Sequence, residues 1–269
     1  KTVKGDFYIV GNDQLQNLNG FNNLTNVAGN ININGNHALI GVGLNNLIEL
    51  EGKLSIDEND ALTSITINGL NMIGGLVSVS ENPQLLTIGL SSVSNIGDNL
   101  IIHDNASLTS VGFNNLTQIG GALQISNSGA LFNVNSLSKL TNIGGALAIG
   151  YNTVLTDISA LQNTTWSITN GMGLVIQDNP ALSICNLPNI CSYLTNPIGT
   201  HPRIISGNTG DCATEQAVSD ACNPVNVPDG EYCNNAIVIN TLFGHPVDEP
   251  QASGTYSTEG FNALNDPSF

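Results

Sequence analysis

Basic residues are nearly missing from this chain. Its 269 residues hold five Lys and Arg against 21 Asp and Glu, a net charge of −16. Nucleic acids and anionic membranes are bound through basic patches, so neither is an expected partner. No apolar run approaches the roughly 18 residues that a membrane span requires, so no membrane insertion is expected. Charge of either sign is sparse, at 10% of residues, which leaves a surface made mainly of Asn, Ser, Thr and Gly. Cysteine is absent from the first 184 residues, and all five cysteines lie between 185 and 233. The first residue is Lys1, with neither an initiator Met nor a signal peptide, as expected of a processed or trimmed chain.

Recognisable chemistry is missing too. There is no Gly-x-Ser-x-Gly, no His-Glu-x-x-His and no phosphate loop. His37, His103, His201 and His245 are scattered and fit no metal or triad spacing.

What the chain has instead is a repeat. The string apolar-x-apolar-x-x-Asn-x-x-Leu runs as Phe7, Ile9, Asn12, Leu15 and returns as Ile31, Ile33, Asn36, Leu39. It recurs at Leu54, Ile56, Asn59, Leu62, at Val77, Val79, Asn82, Leu85, and at Leu100, Ile102, Asn105, Leu108. Leu123, Ile125 and Leu131 keep the frame with Ser128 in the Asn slot, and Asn152 and Asn179 mark two more copies. Intervals between Asn slots are 24, 23, 23, 23, 23, 24 and 27 residues. Such a period marks a solenoid. Each repeat continues with spaced apolar residues, such as Ile65, Ile67, Leu70 and Ile73, separated by Gly, Asn, Ser and Thr. Short runs of β-prone residues broken by turn formers suit strands. The expected fold is therefore all-β: a β-solenoid of about eight to nine coils, each coil stacking about 4.8 Å from the next and sharing one continuous core.

The repeated Asn has a physical task. Turned inward at a sharp corner, it can bond the backbone of its own and the adjacent coil, and it tolerates the left-handed conformation of such corners. Asn12, Asn36, Asn59, Asn82, Asn105, Asn152, Asn179 and Asn208 are expected to form this structural ladder. The pairs Gly74-Gly75, Gly120-Gly121 and Gly144-Gly145 mark another corner, where a side chain would clash or φ is positive. Asn23, Asn105, Asn115 and Asn163 open Asn-x-Ser/Thr sequences, of which Asn105 is an internal ladder residue.

Three regions follow from the pattern. Residues 1–194 hold the repeats. The longest interval surrounds Trp166, which is read as covering a gap in the core in preference to serving as a binding handle. Residues 195–223 are a Cys-rich cap, with Ile205 and Asn208 opening a ninth, partial coil and Ala213–Ala221 forming a short helix over the open end. Cysteines clustered at the end of a solenoid point to disulfides and an oxidising, extracellular setting. Cys212 and Cys222 are ten residues apart, about 15 Å along a helix, while a disulfide needs Cα atoms within about 7 Å. This leaves Cys185–Cys212 with Cys191–Cys222, or Cys185–Cys222 with Cys191–Cys212. The nearby repeat positions of Cys185 and Cys212 favour the first. Residues 224–269 hold a linker and one clear strand, Ala236–Phe243. They read as a truncated β module or an assembly strand. The odd Cys233 then has its partner outside this chain or in another molecule.

The string Ile-Gly-Gly-x-Leu-x-Ile-x-x-Asn-x-x-Leu-Thr-x-Ile, together with Cys185-Asn-Leu-Pro-Asn-Ile-Cys191, Ile205-Ser-Gly-Asn208, Cys212 and Cys222, resembles the receptor L-domain-like, leucine-rich-repeat-like units of secreted bacterial surface proteins. These are common in Bacteroidota, and a fungal cell-wall family carries a related repeat. The resemblance covers about residues 3–223. It implies a β-solenoid, a secreted or cell-surface location and no catalytic activity.

One constellation stands apart. Glu58, Glu81 and Asp104 precede the ladder Asn in successive coils, so three carboxylates share one stripe. Calcium favours oxygen clusters, yet one carboxylate per coil is a thin ligand set, and a solvated acidic face is the stronger reading. No other cofactor is expected. The outward series Tyr8, Asn32, Ser55, Ser78, Ile101, Gln124, Ala148, Val175 is too irregular to match an ice lattice. The expected function is that of a non-catalytic extracellular structural or adhesion protein of the cell surface or matrix, self-assembling into fibres through its C-terminal β segment. Its expected partners are itself, other surface proteins or glycans. The alternative is the repeat portion of a larger secreted enzyme whose catalytic domain lies outside this chain.

Overall fold

Each coil places two or three short strands on the faces of a flattened spiral, and every strand pairs in parallel with its counterpart one coil away. The computed structural model describes residues 1–166, 173–196 and 201–223. The widest face is a nine-stranded parallel sheet built from the repeat motif itself, running from Phe7–Val10 through Ile31–Asn34, Leu54–Asp57 and their successors to Arg203–Ser206. Its register is strict: Val77 stands over Leu54 and under Leu100, and Val79 over Ile56 and under Ile102. A second face is an eight-stranded sheet of two-residue strands, from Thr2–Val3 to Thr165–Trp166. A third holds only Gly41–Gly43, Ser64–Thr66 and Thr87–Gly89. All-parallel pairing with about a 23-residue period is what the repeat dictates, because each coil returns the chain to its starting face one layer higher.

The alternation of the motif sorts the side chains. Ile31, Ile33, Leu39, Leu54, Ile56 and Leu62 are fully buried, and the same slots continue down the stack as one core. In the first, sixth and seventh coils the third strand gives way to a single 3-10 turn at Asn19–Phe21, Asn135–Leu137 and Ser159–Leu161. The cause is local. Asn17, Asn133 and Asp157 each accept the backbone N–H two residues on, at 3.2, 3.0 and 2.8 Å. The Asx side chain thus offers a backbone donor a partner that competes with the strand ladder.

The Asn ladder is internal and continuous over long stretches. Asn36, Asn59, Asn82, Asn105, Asn152 and Asn179 are fully buried, Asn208 is buried, and Asn12 lies at the exposed first coil. Each Oδ1 accepts the backbone N–H of the Asn one coil below, at 3.1 Å for Asn12 to Asn36, Asn36 to Asn59, Asn59 to Asn82 and Asn82 to Asn105. From Asn36 on, each Nδ2 donates to a carbonyl in the coil below, and all but that of Asn152 donate to one in their own coil as well: Asn82 to Ile56 at 2.9 Å and to Ser80 at 2.8 Å. The left-handed residue of the corner is not this Asn, as the sequence suggested, but the residue before it. The ladder Asn keeps a φ outside the left-handed region while its amide bonds along the stack, and its neighbour takes the bend.

The glycine corner has a steric cause. A Cβ on Gly74 would stand 2.0 Å from Glu51 O, and one on Gly97 2.0 Å from Gly74 O. Their φ angles are ordinary, so close approach of successive coils, and not conformational freedom, selects glycine there.

The C-terminal end is closed by two helices, α1 (Pro188–Thr195) and α2 (Glu215–Cys222). Sequence reading placed a helix over 213–221 and missed α1, whose first turn carries a proline in a pre-organised position. Cys185 bonds Cys212 and Cys191 bonds Cys222, with Cα atoms 5.1 and 5.5 Å apart. The first bridge joins the end of the eighth coil to the ninth, and the second ties α1 to α2. Asn208 extends the ladder into the ninth, partial coil by accepting from Asn179 N–H at 3.0 Å.

Candidate functional site

Glu58, Glu81 and Asp104 stand in one column, as their spacing indicated, and the structure gives that column a conformational origin. Their φ angles are 57°, 54° and 55°, and Asn127, Tyr151 and Asp178 continue the series at 50°, 58° and 53°. Gly11, Gly35 and Gly207 occupy the same corner in other coils, with φ of 66°, 64° and 68°. Each corner N–H is used by the next coil: Glu58 donates to Ser80 O and Glu81 to His103 O, both at 3.1 Å. The three carboxylates are exposed. Among the described residues, no group of three or more His, Cys, Asp and Glu side chains comes together to hold a metal ion.

A second polar cluster lies beside that column and was not visible in the sequence, because it needs two successive coils at once. Asp57 accepts hydroxyl donors from Ser78 at 3.0 Å and Ser80 at 2.5 Å, and Ser55 also donates to it. The carboxylate is held by its own sheet face and is therefore a structural acceptor. The histidines pair locally. His37 Nδ1 lies 2.8 Å from Asp60 and its Nε2 3.9 Å from Asp13, one coil to either side, while His103 Nδ1 lies 2.6 Å from Asp104. Pairs this exposed contribute little to stability.

Trp166 is an inward residue. It takes the slot that Ile143 fills one coil below, and its ring meets Tyr193 of α1 edge-on at 5.6 Å. Burial pushes the Tyr193 hydroxyl above its ordinary pKa, with Glu215 adding to that and Arg203 opposing it. Thr165, Asn189 and Ser192 border a shallow recess beside this pair. Residues 167–172 of the long interval around Trp166 lie outside the described residues, as do Cys233, His245 and the expected strand Ala236–Phe243.

Compared with known proteins, the chain matches no family model, no curated relative and no solved structure. The fold is a parallel β-solenoid closed by a two-disulfide cap. Disulfides are consistent with an oxidising, extracellular compartment, and among the described residues no helix is long and apolar enough to cross a membrane.

Proposed function

We propose that this chain is a non-catalytic structural or adhesive module of the extracellular surface or matrix, akin to the receptor L-domain-like repeats its motifs resemble. One observation carries the reading: polar side chains buried in the stack are spent on holding coils together. Asn36, Asn59, Asn82, Asn152 and Asn179 all bond between coils. Threonine hydroxyls do the same at the coil edges, with Thr117 bonding Ser94 O at 2.9 Å and Thr141 bonding Thr117 O at 3.1 Å. Such a stack is a stiff spacer with long faces suited to contacting other surface proteins or glycans. The segment from residue 224 on supplies the fibre-forming part of the proposal, through strand addition to a neighbouring chain.

Deleting residues 224–269 tests that part. The shortened chain is expected to grow no larger than a pair by light scattering while the intact chain forms large species. An intact chain that grows no larger than the shortened one at high concentration contradicts assembly through this segment. Turnover of a glycan or peptide by the purified intact chain contradicts the non-catalytic reading.

A further inference from the structure

The residue after the repeat Leu forms a column along the third face. Its members are Gln16, Ile40, Thr63, Leu86, Thr109, Phe132, Thr156 and Ser183. Backbone bonds fix the stacking, with Ile40 N–H donating to Gln16 O at 3.0 Å, Thr63 to Ile40 at 2.9 Å, Leu86 to Thr63 at 2.9 Å, Thr109 to Leu86 at 2.9 Å and Thr156 to Phe132 at 3.0 Å. The second, fourth and sixth coils carry a large apolar side chain that faces outward: Ile40 is 54%, Leu86 48% and Phe132 57% exposed. The coils between carry Thr63, Thr109 and Thr156. The hydroxyls of all three are turned back onto the carbonyl of the coil below, at 3.0, 3.0 and 3.4 Å. The column is therefore a row of apolar projections about 10 Å apart, separated by low threonine gaps.

This alternation is complementary to itself. Laid antiparallel on a second copy, with the two-fold axis between the Leu86 and Thr109 coils, the column sets Leu86 against Thr109, Phe132 against Thr63 and Ile40 against Thr156. Each projection meets a gap. A parallel pairing would set each projection against its own copy and leave the gaps empty. The flanking columns agree. The series Gly41, Ser64, Thr87, Ser110, Asn133, Asp157 is small and polar, and the series Ala38, Ala61, Gln84, Ser107, Ala130, Val154 is uncharged. In a chain of net charge −16, copies meet with least repulsion on a face of few charges, which here are Asp13, Asp60 and Asp157. In the antiparallel register Asp13 faces Pro180, Asp60 faces Gly129 and Asp157 faces Gly41, so no like charges oppose. Eight coils at about 4.8 Å each give a face about 38 Å long, on which the roughly 800 Å² per partner of a stable interface corresponds to a contact about 21 Å wide.

We infer that this face joins two copies of the chain in an antiparallel, isologous pair centred between Leu86 and Thr109. An isologous contact closes at two chains, unlike head-to-tail addition, which continues. Sedimentation equilibrium of the chain shortened to residues 1–223, whose Lys1–Cys222 part is a compact unit by itself, tests the inference apart from any assembly through the later segment. The expected result is association that stops at two chains and is weakened roughly thirtyfold or more by Leu86→Glu. Phe132→Gln, also at an exposed site, is expected to weaken it as well, with the circular-dichroism melt unchanged in both variants. In the same shortened chain, which lacks Cys233, oxidising a mixture of Ile40→Cys and Thr156→Cys chains is expected to link unlike chains. Single chains at every concentration, association that both folded variants leave unchanged, or cross-linking of Ile40→Cys chains to one another overturns the inference.

Discussion

Asn82 holds Asn59 by two bonds at once: its side-chain Oδ1 accepts the Asn59 backbone N–H at 3.1 Å and the Asn59 Nδ2 at 3.2 Å. Both residues are fully buried. Asn82→Ala removes the acceptor and leaves a buried N–H without a partner, at a cost of about 1–3 kcal/mol. Chemical denaturation of that variant is expected to show a loss of this size. A midpoint equal to that of the unmodified chain contradicts the load assigned to the ladder.

The same ladder has one weak rung. Ser128 fills an Asn slot, and its hydroxyl bonds Ser126 O at 3.3 Å. Among the described residues, Asn105 N–H finds no acceptor there, although Ser128 N–H still reaches Asn152 Oδ1 at 3.0 Å. Ser128→Asn restores the missing acceptor, and the chain is expected to gain about 1 kcal/mol. Thermal melts of the two proteins check it, and a fall in midpoint counts against the rung geometry.

The first coil carries a pH-sensitive tie. Asp6 accepts from Asn30 N–H at 2.7 Å, from Asn30 Nδ2 at 3.0 Å and from the Tyr8 hydroxyl at 2.8 Å. The backbone bond from Asn30 is the largest cause holding the Asp6 carboxyl below its ordinary value, with the Tyr8 hydroxyl next. A carboxyl depressed in the folded chain stabilises it above the unfolded pKa and loses that effect as pH falls through the folded value. Urea midpoints are therefore expected to separate the unmodified chain from Asp6→Asn at neutral pH and to converge in acid, below about pH 4. A gap independent of pH contradicts this.

The acidic column is a column of left-handed corners, so backbone conformation governs substitution there. Glu81→Gly is expected to be well tolerated, because glycine reaches a positive φ freely. Glu81→Val is expected to destabilise, because a β-branched residue is a poor fit in that region. Calcium is expected to leave the melting midpoint of the unmodified chain unchanged. A rise with calcium that vanishes when Glu58, Glu81 and Asp104 are neutralised restores the metal reading.

The coil period and the inward slots were legible because each coil repeats one hydrogen-bonding problem and solves it with the same residue types. Leu54, Ile56, Asn59 and Leu62 announce one coil without reference to any other. Features that need several coils at once were not legible. The serine donors to Asp57 come from residues 21 and 23 positions further on, and no motif joins them. Helix α1 was hidden because Leu187 and Ile190 continue an apolar spacing that also suits another coil. Trp166 sits in the longest interval between repeats, and only its register with Ile143 shows that it fills an ordinary inward slot.

Electron microscopy of the native material, with antibody raised against the solenoid, tests the extracellular structural role most directly. The account predicts label on the cell surface or in the surrounding matrix, arranged along continuous layers or fibres. Label confined to the cell interior, or on secreted particles that co-purify with a catalytic activity, contradicts it.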